Sequence, residues 1–233
     1  MLRKIYRKQI SGAVVPTELT KDTIERAFDA MGRMAAERGL VVDIAVYGGS
    51  CLVLASDIRN ASVDVDAVFL TERSAVRVIA DAVARQMGLP LDWINEAVRQ
   101  VAPPRGNPEP NLLPFGDYPR GGETAVGLRV HVPAPAYLLA MKVLANRAAD
   151  HWAKVQSDED DAVALMKITG IASREAIVRL LQECYPRVPL IIEPALSPRI
   201  SAKIDALVDA YERSRDHPDP TWHAGRGGAT RPR

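Results

Sequence analysis

The stretch YGGSCLVLASDIRNASVDVDAVF, from Tyr47 to Phe69, decides how this chain is read. Leu40 to Tyr47 is a short β-branched run and predicts a strand leading into it. Gly48 and Gly49 then form a turn, and Ser50 to Ser56 reads as a short helix. Ala61 to Leu70 alternates. Val63, Val65 and Ala67 face one way; Ser62, Asp64, Asp66 and Val68 face the other, so this strand carries one carboxylate-bearing face. Each part has a physical use. Two glycines let the backbone come close to a phosphate. Ser50 opens a helix whose N-terminal amides attract anions, and its hydroxyl adds a further hydrogen bond. Asp64 and Asp66 lie two apart on a strand and share a face. Paired carboxylates repel unless a cation joins them, and Mg²⁺ is the hard, oxygen-seeking ion that suits them. Such an ion bridges triphosphate oxygens and neutralises charge developed in nucleotidyl transfer.

Upstream of this stretch, Ile24, Phe28, Met31 and Met34 recur with helical spacing over Lys21 to Arg38, and Gly39 closes that helix. Arg3, Lys4, Arg7 and Lys8 form a basic N-terminal arm, read as solvated. Downstream, Ser74 to Met87 predicts an amphipathic helix ended by Gly88 and Pro90. Asp92 to Val101 predicts a short helix. Ala102 to Glu123, rich in Pro, Gly and Asn, predicts a long loop. Ala125 to Val132 predicts a strand stopped by Pro133 and Pro135. Helices follow over Ala136 to Ala149, over Asp158 to Thr169 with Ser157 as N-cap, from Ser173 to Cys184, and from Ser197-Pro198 to about Ser214. Arg215 to Arg233 has no periodicity and predicts a disordered tail. The expectation is an α+β protein: a mixed-sheet core over 1–133, a helical lobe over 134–214 and a tail over 215–233.

The chain has 233 residues, 47% of them hydrophobic and 25% charged, which suits a globular protein. A formal net charge of +1 excludes a strong overall field for nucleic acid or lipid. The two cysteines, Cys51 and Cys184, are far apart and lack metal-type spacing, which points to a reduced thiol pair. No apolar run is long enough to span a bilayer, and no signal-peptide pattern follows the charged start. The expectation is a cytoplasmic protein without a membrane partner.

Gly48-Gly49-Ser50 with Asp64-Val65-Asp66 resembles the signature of the polymerase-β-type nucleotidyltransferase superfamily. Arg59, Ser62, Asp64 and Asp66 (R-x-x-S-x-D-x-D) resemble the subgroup that includes AbiE-type and MenT-type toxins of toxin–antitoxin systems. AYLLAMKVLANR, Ala136 to Arg147, is similar to that subgroup's helix with an active-site lysine, Lys142 being the matching position. DEDDAVAL, Asp158 to Leu165, is similar to its following helix, and Asp161 matches an aspartate of its site. The resemblance covers most of Val41 to about Leu165.

It implies a nucleotidyltransferase-like sheet with flanking helices and a Mg²⁺-dependent enzyme moving a nucleoside monophosphate from a nucleoside triphosphate to an acceptor. Asp64 and Asp66 would hold the metal, and Gly48, Gly49 and Ser50 would cradle the phosphates. Lys142 would steady the triphosphate, and Asp161 would position the acceptor or another metal. The acceptor implied is the 3′ end of a tRNA, with a cognate antitoxin protein as restraint. Nucleotidylation of a small molecule or protein, or nucleotide binding without turnover, are the alternatives.

One departure stands out. Full polymerase-like members place a third acid on a later strand, whereas Ala125 to Val132 offers Arg129 and His131. Either Glu123, just before it, or Asp161 substitutes, or the site uses fewer acids, or the enzyme is impaired. His131 is a candidate base near neutral pH. Read from the residues alone, Lys142 sits beside the apolar stripe of Leu138, Met141, Leu144 and Ala145, pointing into a cleft or out to water. Asp158, Glu159, Asp160 and Asp161 also fit a helix N-terminal dipole role.

Overall fold

The computed structural model describes residues 18–100, 112–121, 125–145, 152–186 and 196–224. The basic arm, Glu123, residues 101–111 of the expected loop, the end of the helix after residue 145, and 225–233 of the tail lie outside the described residues.

The first long helix, α1 (Lys21–Ala36), starts where Thr20 accepts the Thr23 amide at its side-chain oxygen and carries Asp22 in its first turn. Ile24, Phe28, Met31 and Ala35 form its buried stripe. Its end is set by Gly39 at φ +65°, with the Leu40 amide closing onto the Ala35 carbonyl at 2.9 Å.

Then come β2 (Val42–Val46), α2 (Gly48–Ala55), β4 (Val65–Phe69) and α3 (Arg73–Met87). The two-residue strands β1 (Leu19–Thr20) and β3 (Ala61–Ser62) pair as a separate antiparallel ribbon. With β5 (Ile94–Asn95), β6 (Leu112–Tyr118) and β7 (Leu128–Pro133), the larger sheet has the order β5-β4-β2-β7-β6. It is mixed: β2 runs parallel to β7 and antiparallel to β4, and β4 runs parallel to β5. The central strand β2 is the driest, with Val42, Ile44, Ala45 and Val46 buried and Asp43 the one polar interruption.

Helix α1 packs on β6 and β7 beside α3. That packing is close because Gly32 and Gly127 meet: a Cβ on Gly127 would sit 2.0 Å from the Gly32 carbonyl oxygen. The helices α4 (Pro135–Leu144), α5 (Trp152–Thr169), α6 (Arg174–Cys184) and α7 (Pro198–Arg213) follow, with α4 in contact with the other three and buried from Tyr137 to Val143. Among the described residues no helix is long and apolar enough to cross a membrane.

Several expectations are corrected. The loop over Ala102 to Glu123 contains β6, whose Pro114 and Gly116 break the alternation and carry a register shift against β7. Proline and a bulge are tolerated there because β6 is an edge strand. The stretch expected as a helix over Asp92 to Val101 is, over its described residues 92–100, β5 and a short 3₁₀ turn, and Trp93 is buried with its indole N–H donating to the Ala80 carbonyl. Ala61 to Leu70 is two strands with a bend at Val63 and Asp64; Val63 is 71% exposed, off the buried face it was expected to share with Val65 and Ala67. Helix α5 begins at Trp152, so Ser157 is not its cap and Asp158 to Asp161 are not in its first turn. The tail is ordered in part. Lys167 donates to the carbonyls of Ser214 and His217, the Thr221 amide donates to Asp57, and Trp222 is buried in a bridge with Ser56.

Two outcomes are expected. Gly127→Ala forces backbone against backbone and should lower stability by about 3 kcal/mol or prevent folding, as read by urea unfolding. Burial pushes the Tyr47 phenol up to about 12 and raises the Cys51 thiol further still. The folded state therefore keeps protons that the unfolded chain releases. Their stabilisation is complete below the ordinary thiol value of 9.0 and is lost as pH rises above it. Unfolding midpoints should fall above pH 9, and less steeply in Cys51→Ala.

Candidate functional site

Strand β2 delivers the chain to Tyr47, whose amide donates to the Asp66 carbonyl at 2.8 Å and so fixes the start of α2 beside β4. Gly48 is required here twice over. Its φ is +62°, and a Cβ would stand 2.6 Å from Asp66 Oδ2. Gly49 leaves the next space open, where a Cβ would lie 3.2 Å from Ser62 Oγ and 3.5 Å from Arg59 Nη1. The glycines are therefore the first turn of α2 rather than a turn before it.

These residues open onto a cavity of about 460 Å³. Gly48, Gly49, Asp64 and Asp66 line one side, and Lys142 and Asp158 approach from α4 and α5. Arg59, Ser62 and Ser157 complete its polar wall; Val98, Leu138 and Met141 are prominent in the apolar one. Of the residues given a site role from sequence, Gly48, Gly49, Asp64, Asp66 and Lys142 thus meet on one cavity, with Arg59 and Ser62 of the motif beside them. Ser50 stands behind it, 1% exposed, with its hydroxyl donating to the Tyr47 carbonyl at 2.9 Å. Asp64 accepts the Asn95 side-chain amide at 2.9 Å.

Lys142 neither snorkels nor projects unpaired. It is 8% exposed, and its Nζ lies 2.5 Å from Asp158 Oδ1 and 2.7 Å from Asp161 Oδ2. Asp161 is 2% exposed and does not line the cavity. Its two oxygens also take Arg59, from Nε at 2.7 Å and Nη2 at 2.8 Å. Arg59 further donates to the Ser157 hydroxyl and carbonyl. Asp161 thus holds two cations at the cavity edge, a role its sequence position did not disclose. It faces a second groove, of about 950 Å³, which shares Arg59 and Ser157 with the first.

The strand expected to carry a third acid does not bring one. Arg129 and His131 on β7 both approach Asp43, at 3.9 and 3.6 Å, and neither lines the cavity. Asp158 is the third carboxylate on the wall, supplied by a helix. Among the described residues no group of three or more His, Cys, Asp or Glu side chains is arranged to hold a metal. With Asp158 paired to Lys142, the cavity carboxylates that could hold a cation are Asp64 and Asp66. Mg²⁺ commonly takes one or two carboxylates and completes its shell with water and substrate phosphates, so two are enough.

The sequence reading assigned no role to Arg59 beyond its motif, took Asp158 as a dipole partner, and passed over Asn95. Asp158 and Asp161 are three apart on one helix, a spacing that puts both on one face and was the available signal. Nothing local links Arg59 to Asp161, 102 positions away. Comparison with family models, curated proteins and solved structures gives no match to this chain.

Asp161→Asn leaves two cations without their shared counter-charge. The expected loss is about 3 kcal/mol by urea unfolding. Adding Lys142→Met should return part of it, giving a coupling of about 1 kcal/mol or more in the double-mutant cycle.

Proposed function

We propose that the cavity binds a nucleoside triphosphate with Mg²⁺ and transfers the nucleoside monophosphate to an acceptor. The observation that carries the reading is the meeting of Gly48, Gly49, Asp64, Asp66 and Lys142 on one cavity, although they come from separate parts of the chain. The volume of about 460 Å³ is within the usual range for small-molecule sites. The likeness to the polymerase-β-type superfamily and its toxin subgroup supports the same reading.

The division of labour follows from charge and position. The start of α2 at Gly48 and Gly49 lets phosphate oxygens come close to backbone amides. Arg59 and Lys142 offer positive charge at the same wall, held there by Asp161 and Asp158. Asp64 and Asp66 would hold Mg²⁺, which when bound offsets the charge that builds up on the phosphates. The acceptor oxygen attacks the α-phosphorus, the bond to the bridging oxygen of the β-phosphate breaks, and pyrophosphate leaves. The acceptor proton passes to a cavity carboxylate. Asp161, buried and doubly paired, holds the two cations and does not touch substrate. The acceptor favoured by the resemblance is a tRNA 3′ end, with an antitoxin as the protein partner.

Incubation with each α-labelled nucleoside triphosphate, Mg²⁺ and total tRNA is the test. Label should move to tRNA with release of pyrophosphate, stop on chelation, and fall at least about 100-fold in Asp64→Asn and Asp66→Asn. Pyrophosphate release without labelled RNA would move the acceptor to a small molecule or protein. Nucleotide bound but never cleaved would leave a binding module, and no nucleotide binding at all would remove the reading.

A further inference from the structure

We propose that Asn95 is a positioning residue for Asp64, fixing that carboxylate for the divalent cation. The inference rests on the reading of Asp64 and Asp66 as cation ligands. Asn95 ends β5, in register with Asp66 on the neighbouring β4. Its side-chain Nδ2 donates to Asp64 Oδ2 at 2.9 Å, and its Oδ1 accepts the Ala97 amide at 2.9 Å. The second bond decides the first. An amide hydrogen can only meet the oxygen end, so the NH₂ end is turned to Asp64.

Asp64 needs this support because it lies in the bend between β3 and β4, outside both strands. A carboxylate there has rotamers to choose from, and a donor on one oxygen restricts them. The donor is neutral. It orients Asp64 without cancelling the charge that attracts a cation, which a lysine or arginine in its place would do. Asn95 does not line the cavity, so it acts through Asp64 rather than on a ligand. Asparagine is also a poor strand former, and its place at the end of β5 is where a side chain can turn back onto the next amide but one.

The test titrates Mn²⁺ alone into the full chain and reads free Mn²⁺ by electron paramagnetic resonance. It compares wild type, Asn95→Ala, Asn95→Ser and Asp64→Asn. The serine hydroxyl can still accept the Ala97 amide, keeping the turn, but is too short to reach Asp64. Both Asn95 variants should bind Mn²⁺ about 10- to 100-fold more weakly. Their thermal stability and their nucleotide binding in chelator should stay near wild type. Wild-type Mn²⁺ affinity in Asn95→Ser would show that Asn95 serves only the turn and would overturn the proposal. So would unchanged affinity in Asn95→Ala while Asp64→Asn loses the ion. A wild-type chain that takes up no Mn²⁺, with or without nucleoside triphosphate, would sink the cation reading itself and this inference with it.

Discussion

Asp161, with 2% of its surface exposed, places one carboxylate oxygen against Arg59 and the other against both Arg59 and Lys142. A carboxylate so buried is tolerable only because it is fully paired, and the three residues of the pairing come from three parts of the chain. Arg59 belongs to the loop after α2, Lys142 to α4, and Asp161 to α5. The pairing therefore joins the sheet half of the molecule to the helical half at the edge of the cavity. Two cations that would otherwise repel each other are kept side by side, balanced by Asp161 and Asp158.

The rest of the architecture keeps those elements in register. From the other side, residues 214–224 run from the end of α7 back to α2, held by Lys167 at one end and by the Ala55 carbonyl and Asp57 at the other. This segment borders the loop that carries Arg59. The ribbon of β1 and β3 pins Ser62 two residues before Asp64. The absent side chains at Gly48 and Gly49 matter as much as the charges present, since a Cβ at Gly48 would occupy the space of Asp66 Oδ2.

Much of this could be read along the chain, because the relevant forces are local. The stripe of α1, its Gly39 stop, the strand β2 and the capping Ser173 of α6 follow from periodicity and backbone preference, and all are present. The Gly-Gly and Asp-x-Asp segments were legible for the same reason: these residues of the cavity wall are close in sequence. Failures came where packing overrode pattern. Pro114 and Gly116 disguised an edge strand, buried Trp93 turned a helical stretch into β5, and the start of α5 at Trp152 moved Ser157 and Asp158 into a helix interior. Trp222 found a buried place in a segment whose composition had suggested disorder.

The sequence by itself determined the mixed α+β class and the closeness of Gly48 and Gly49 to Asp64 and Asp66, though the glycines prove to be the first turn of α2 and Asp64 lies in the bend before β4. It also picked out Lys142 and Asp161 as residues to watch. Only the tertiary structure decided what these two contact: Lys142 is paired by Asp158 and Asp161, and Asp161 sits behind the cavity wall as the shared counter-ion of Arg59 and Lys142. The physical reason is the range of the interactions. Backbone geometry and amphipathic periodicity act over a few residues and leave a mark in the sequence. A buried ion network depends on which charges meet once separate elements have packed, and beyond the shared face of Asp158 and Asp161 no spacing along the chain records that meeting.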